Sequence, residues 1–450
     1  MKCLTRLSQN AERLNAGSQG RHRYRVNVFR TGLLLSLLHI SPLQAQPSVE
    51  THSASAPADL KAVLQAVITK QPEQFEVPNY TSLAASHQKV SQSWLPNGMN
   101  MMVRHESDAL TDDTGFQSWE TGVSFPVAIG DQANAYAQLG EVYQQQSIHY
   151  PQLLNLQASA LTRQLVWELK MAEVEWQRSQ QNLGLVAALA SKVESLVKAG
   201  DSPKMDLVLV QKERVQAEKS SLEAQNQYQQ KLANYQFWTG FSQLPHEIQE
   251  VQAPDWTNAQ NQLESHPQVL WAQSQLQQVQ ARKQLAETQS VEKPNLFVGA
   301  KSEQDDQTSA RTSLMLEMSF PLGKPARYSA QMAEQNLAVS ESQVRLQKTQ
   351  QNLFNQARQA YQVLLQSQQL ADLARQQVGL SEQALSMAEK AYELGETNIQ
   401  TLLQVQTQML KALLDSERQQ VLVQQNLALY WQALGHGVGQ GIDHAASIAQ

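Results

Sequence analysis

Tyr361–Leu394 reads YQVLLQSQQLADLARQQVGLSEQALSMAEKAYEL and ends a longer stretch, from Arg327 to Leu394, with no proline and one glycine, Gly379. Gln, Ala, Leu, Glu, Lys and Arg are good helix formers, so the stretch predicts one helix. At 1.5 Å per residue it would extend roughly 100 Å, more than an ordinary globular domain holds. Leu373, Leu380, Met387 and Leu394 recur every seven residues, the spacing of helices packed side by side in a coiled coil. The other faces, rich in Gln, Ser and Glu, suit water, including a water-filled bore.

The stretch runs into Glu393-Leu394-Gly395-Glu396-Thr397-Asn398, and a turn of similar make, Lys198-Ala199-Gly200-Asp201-Ser202-Pro203, stands 195 residues earlier. The same offset joins Ser124-Phe125-Pro126 to Ser319-Phe320-Pro321, Tyr235 to Tyr430, Gly240 to Gly435 and Pro72 to Pro267. Landmarks in one register, one of them a tripeptide, mark a tandem duplication. Pro96-Asn97 matches Pro294-Asn295 at an offset of 198, which predicts a three-residue indel near the hairpins. The counterpart of the long stretch, Gln132 to Ala199, contains Pro151, expected to kink or split that helix. After the turns, Val208, Val215 and Leu222, and Leu403 and Leu410, repeat the seven-residue stripe. Glycine supplies the left-handed position at each turn, and Asp201, Ser202 or Thr397 is positioned to cap the next helix.

A proline-free helical stretch opens each copy, Thr81 to Leu95 and Gln268 to Glu292, and a β-hairpin follows. Its strands are Asn97 to Glu106 and Phe116 to Phe125 in the first copy, Asn295 to Glu303 and Arg311 to Phe320 in the second, around Asp-rich turns. Trp119, Thr121, Val123 and Phe125 alternate with Ser118, Glu120, Gly122 and Ser124. Alternation with one apolar face predicts a half-buried sheet, and about ten residues is also the length a tilted strand needs to cross a bilayer.

The first thirty residues carry seven Lys and Arg against one acid, and the apolar run Leu33 to Ile40 follows, so residues 1–45 read as a secretory leader cleaved after Ala45. Its removal takes the formal charge from −6 to −12, which argues against a nucleic-acid partner. The only cysteine, Cys3, lies in that segment, so the remainder has no cysteine for disulfides, thiolate metal sites or a lipid anchor. Nothing after the leader reads as a transmembrane helix, so a membrane crossing would require a closed β-barrel.

The paired hairpins entering their helices through Ser-Phe-Pro, the two glycine tips and the 195-residue period together resemble the TolC-like outer-membrane efflux family over nearly the whole mature length. The compact layout looks somewhat more like the outer-membrane components of cobalt-zinc-cadmium-type metal efflux systems than like those of drug or toxin exporters. The resemblance implies a mainly α fold with a small β part. Tandem-duplicated long helical hairpins form a trimeric α-barrel, and two β-hairpins per chain contribute to a 12-stranded outer-membrane β-barrel. It divides the chain into a first repeat over 46–240, an equatorial segment over 241–265, a second repeat over 266–435 and a tail over 436–450.

The function implied is a passive exit duct, with a large periplasmic portion, for small molecules or metal ions driven by an inner-membrane pump through a periplasmic adaptor. No cofactor is implied. The resemblance puts Gly200, Asp201, Asp206, Gly395, Glu396, Thr397, Thr401 and Gln404 at the periplasmic tip, where the adaptor docks and the entrance is gated. Ser124, Phe125, Pro126, Ser319, Phe320 and Pro321 form the junction of barrel and helices. Relatives carry acids six and nine positions after the second tip glycine; here these are Thr401 and Gln404, with Asp206 sixth in the first copy, which departs from an aspartate ring. Asp201, Asp206 and Glu396 together suit either a cation-recruiting mouth or ordinary helix-start capping.

HExxH, CxxC, GxSxG and phosphate-loop motifs do not occur, and no polar constellation for catalysis is visible. Met99, Met101, Met102 and His105 are soft-metal ligand types, read here as strand and loop residues. His436 and His444 read as a solvated tail. The competing reading is a soluble periplasmic coiled-coil adaptor or scaffold.

Overall fold

The computed structural model describes residues 57–439 except 94, 96–97, 111–114, 128–130, 253, 290–292 and 324–325. The leader at 1–45, the strand start at Asn97, residues 111–114 of the first hairpin turn and the end of the tail with His444 lie outside the described residues. The elements are α1 (Leu60–Lys70), α2 (Val77–Ser91), β1 (Asn100–Ser107), β2 (Gln117–Pro126), α3 (Gln132–Ala199), α4 (Lys204–Thr239), α5 (Trp256–Ala259), α6 (Pro267–Thr288), β3 (Asn295–Gln304), β4 (Arg311–Ser319), α7 (Arg327–Glu393) and α8 (Ile399–Ala433). No described helix is long and apolar enough to cross a membrane.

Helices α3 and α7, of 68 and 67 residues, are the two uprights. Two shorter helices, α2 and α4, both pack on α3, while α6 and α8 both lie between α3 and α7. The helices therefore form two successive layers, α2-α3-α6-α7 on the strand side and α4-α3-α8-α7 on the tip side. Small and aliphatic residues make the contacts: Ala84, Leu139, Tyr143 and Ala281 in the first layer, Val193, Val210, Ile399 and Leu402 in the second.

Of the two outcomes expected at Pro151, a kink or a split, the split does not occur: α3 runs unbroken through it. Its missing N–H costs about 3 kcal/mol in a helix interior. Packing covers both sides of that point: Tyr150, Leu153 and Leu154 are buried against Val77, Tyr80 and Trp271. The Tyr150 hydroxyl also donates to Glu76 Oε2 at 2.6 Å.

Between the layers, the segment after α4 and the turn after α8 gather on a buried arginine. Arg163 is 3% exposed. It donates from Nε and Nη2 to both carboxylate oxygens of Glu250 at 2.7 and 2.6 Å, and from Nη1 to the His436 carbonyl at 2.9 Å. His436, expected in a solvated tail, is instead fastened here, with Nε2 3.0 Å from Gln262 Oε1 and its ring edge-on to Trp431.

The strands form one antiparallel sheet in the order β1-β2-β3-β4, with β1 and β4 at its edges. Asn100 pairs with Ser124 and Asn295 with Ser319, so Asn295 occupies the place of Asn100 at an offset of 195. This corrects the 198 offset read from the Pro-Asn dipeptides. Strand register follows cross-strand pairing, and a turn motif before the strand does not report it.

Candidate entrance and membrane-facing sheet

At the first tip Gly200 has φ +88, the Asp201 amide donates to the Leu196 carbonyl at 2.9 Å, and the Gly200 amide donates to the Val197 carbonyl at 3.2 Å. At the second, Gly395 has φ +74, with Glu396 N–H donating to Ala391 at 2.8 Å and Gly395 N–H to Tyr392 at 3.0 Å. Both are the paired closure that satisfies the last helical carbonyls and requires a left-handed residue.

The caps differ from those expected. Asn398, rather than Thr397, caps α8, its Oδ1 accepting from the Thr401 amide at 2.9 Å and the Thr401 hydroxyl at 3.0 Å. In the first copy neither Asp201 nor Ser202 caps α4. Pro203 occupies the cap position, and the Ser202 hydroxyl donates to Asp206 Oδ2 at 2.8 Å. A cap must sit immediately before the helix in an extended conformation, and at both tips that residue comes later than the candidates, one place after Ser202 and Thr397 and two after Asp201.

Ile399 and Leu402 at the start of α8 pack with Val193 of α3 and Val210 of α4, so the two tips share one core. Lys192 Nζ reaches Glu393 Oε1 at 3.3 Å across them. Asp201, Glu396, Thr401 and Gln404 are exposed, and Asp206 and Thr397 half-buried. Among the described residues no three His, Cys, Asp or Glu side chains converge to hold a metal within one chain. The Lys198 ammonium, by hydrogen bond and charge, holds the nearby Glu194 carboxyl below its usual range.

At the opposite end the sheet carries its apolar residues outward. Met101, Val103, Trp119, Val123, Val298, Leu314 and Leu316 share one face through the ladder, and all are exposed, Leu314 to 91%. The opposite face carries Ser118 and Glu120, 3% and 5% exposed, with Arg104 Nη1 3.3 Å from Glu120 Oε2 and a Lys301–Glu303 ion pair. The alternation is as expected, but the covered side is the polar one. Met101 and Met102 fall on opposite faces, and His105 stacks on Trp119 at 4.2 Å, so these residues do not converge as a metal site.

At the junction, Ser124, Phe125 and Pro126 end β2, and the Val127 amide donates to the Pro294 carbonyl at 2.8 Å. Ser319 ends β4, with Phe320 exposed beyond it. The stripes on α4 and α7, expected to pack helices together, do not do so within the chain. Val208, Val215, Leu222, Leu373, Leu380, Met387 and Leu394 are all more than half exposed, whereas Leu403 of α8 packs into the tip core.

No family model matches the sequence, and no curated protein matches it. Solved structures do. A membrane protein from Pseudomonas aeruginosa superposes with a TM-score of 0.68 at 15% identity, over 86% of this chain and 92% of that one. The CmeC outer membrane channel of Campylobacter jejuni gives 0.64 at 12%, over 87% and 89%. The open state of the MtrE outer membrane channel of Neisseria gonorrhoeae gives 0.64 at 13%, over 85% and 90%. The chain has the fold of TolC-like outer-membrane channels.

Proposed function

We propose that the chain is the outer-membrane exit duct of a tripartite efflux system in a Gram-negative bacterium. Three copies close a twelve-stranded barrel and a helical tunnel through which small molecules or metal ions leave. The observation that carries this reading is the inverted sheet, apolar on its exposed face and charged on its covered one. Such a sheet suits lipid outside and water inside. Four strands cannot close a barrel, and open edges are untenable in lipid, so copies must combine.

The helical layer supports the same assembly. Its tip-side edges, α4 and α7, each show an unpartnered apolar stripe. The α4 stripe of one copy meets the α7 stripe of the next, a head-to-tail contact that closes into a ring. An exposed apolar sheet counts against the soluble scaffold reading.

In this reading Gly200, Asp201, Asp206, Gly395, Glu396, Thr397, Thr401 and Gln404 surround the periplasmic entrance and present it to the adaptor of an inner-membrane pump. Ser124, Phe125, Pro126, Ser319, Phe320 and Pro321 carry the barrel into the tunnel. The duct performs no chemistry; the pump supplies the driving force. Full-length chain expressed in a Gram-negative host and purified from outer membranes should form trimers that give discrete conductance steps in planar bilayers. A soluble periplasmic protein without conductance would overturn the reading.

A further inference from the structure

We infer that neighbouring copies are held in strand register by an ion pair between Glu317 on β4 and the partner subunit's Arg104 on β1. The inference rests on the ring of copies proposed above.

Within the chain, β2 pairs with β3 so that Gly122 faces Gly299, Val123 faces Val298 and Thr121 faces Ala300. The hairpins β1-β2 and β3-β4 have the same internal register 195 residues apart, as Asn100↔Ser124 and Asn295↔Ser319 show. In a ring the joint from β4 to the next copy's β1 is the repeat of the joint from β2 to β3. Carrying the observed pairing across by 195 puts Glu317 in the place of Gly122, and Arg104 in the place of Gly299. The same step brings Met318 opposite the partner's Val103, Leu316 opposite the partner's His105, and Phe320 opposite the partner's Met101. The outward apolar face thereby continues across the seam.

Charge selects this register over its neighbours. Odd shifts set the apolar face of one copy beside the polar face of the next. A shift of two one way brings Glu317 opposite the partner subunit's Glu106, a like-charge pair that is destabilising; two the other way brings it opposite the partner subunit's Met102 and leaves Glu317 with no cation directly across from it. Among the described residues Glu317 has no cation in its own chain. Arg104 reaches Glu120 from a side chain that stays 62% exposed on the open edge strand. Inside the chain the equivalent position holds two glycines, Gly122 and Gly299, covered by Phe297, and the opposite charges of that joint, Glu120 and Lys301, face each other two residues away; the joint between chains puts its opposite charges at the glycine position instead.

Cysteine cross-linking reads the register directly. Directly opposed strand residues have Cα atoms about 4.5–5.5 Å apart, within disulfide range, and diagonal neighbours lie about 7–8 Å apart. The native cysteine, Cys3, is replaced by Ser, and full-length trimers are prepared carrying Glu317→Cys with Arg104→Cys, with Glu106→Cys, or with Met102→Cys. The Arg104 combination should give reduction-sensitive dimers and trimers several-fold more efficiently than the other two. Preferential linking through Glu106 or Met102 would overturn this register while leaving the ring intact. A monomer that links in none of the three would overturn both. As a check without cysteines, Glu317→Lys should lower the temperature at which trimers dissociate, and Glu317→Gln should lower it less; no change in either would count against the pair.

Discussion

The ring of Phe297 lies across Gly122, its Cζ 2.6 Å from where a β-carbon on that glycine would stand. Gly299, directly opposite Gly122 in the ladder, meets the same ring atom at the same distance. Phe297, 4% exposed, fills the place that two side chains would take. Gly122→Ala should therefore destabilise the sheet by ~1–3 kcal/mol, the cost of overpacking. Combined with Phe297→Ala it should cost less than the sum of the two single changes. The check is the heat-dependent gel mobility of the folded barrel for the four proteins.

The two faces of the sheet should respond oppositely to charge. Leu316→Arg places a cation on the exposed apolar face, which near mid-bilayer costs ~2–4 kcal/mol, so the yield of assembled barrel in outer membranes should fall. Ser313→Glu, on the opposite face and directly across from Lys301, should assemble normally and alter conductance or ion preference. Equal loss of assembly in both would mean that the faces are assigned wrongly.

Arg163 should be the costliest single truncation between the two helical layers. Its guanidinium holds the Glu250 carboxylate, 8% exposed, on two parallel bonds, and removing one partner of such a buried pair costs about 3–5 kcal/mol. Arg163→Ala should lower the melting temperature measured by circular dichroism, and Arg163→Lys should recover only part, because an ammonium cannot make the paired contact. Arg163→Ala together with Glu250→Gln should be milder than Arg163→Ala alone.

Acid should loosen the same region through His266. Burial first, and the nearby His436 second, push its pKa down to about 4 from 6.5. In the fold Nδ1 accepts from the Gln268 amide at 3.1 Å, which the neutral ring can do. The unfolded chain takes up the proton first, so this contribution is intact above about pH 6.5. It is lost as pH falls toward 4, at up to ~1.4 kcal/mol per unit. His266→Asn, which keeps a capping acceptor, should flatten thermal stability over that window; an unchanged slope would exclude His266 as its source.

Some features were legible because their cause is local. Pro126 and Gly200 bracket α3, and Gly395 ends the run of α7, so their extents could be read from punctuation and composition. The tip glycines could be placed because a left-handed residue is needed wherever a helix must close and reverse. The helices begin later than Asp201, Ser202 and Thr397 suggest, since the cap positions at Asn398 and Pro203 depend on backbone angles that composition does not report. His436 was read as loose because its partners, Arg163, Trp431 and Gln262, are far away in sequence. The proline landmark misaligned the hairpins because only the pairing of Asn100 with Ser124 and of Asn295 with Ser319 defines strand register.

Helix length, the position of each reversal, the alternation along each strand and the 195-residue duplication follow from the sequence alone, since each arises from neighbours a few residues apart or from direct self-similarity. The tertiary structure decided which face of the sheet stays uncovered, that Leu373, Leu380, Met387 and Leu394 find no partner within the chain, and that Arg163 draws three segments together. Those outcomes depend on which distant surfaces meet. A periodic pattern states that a face is apolar, and only the assembled layers state what remains for that face to touch.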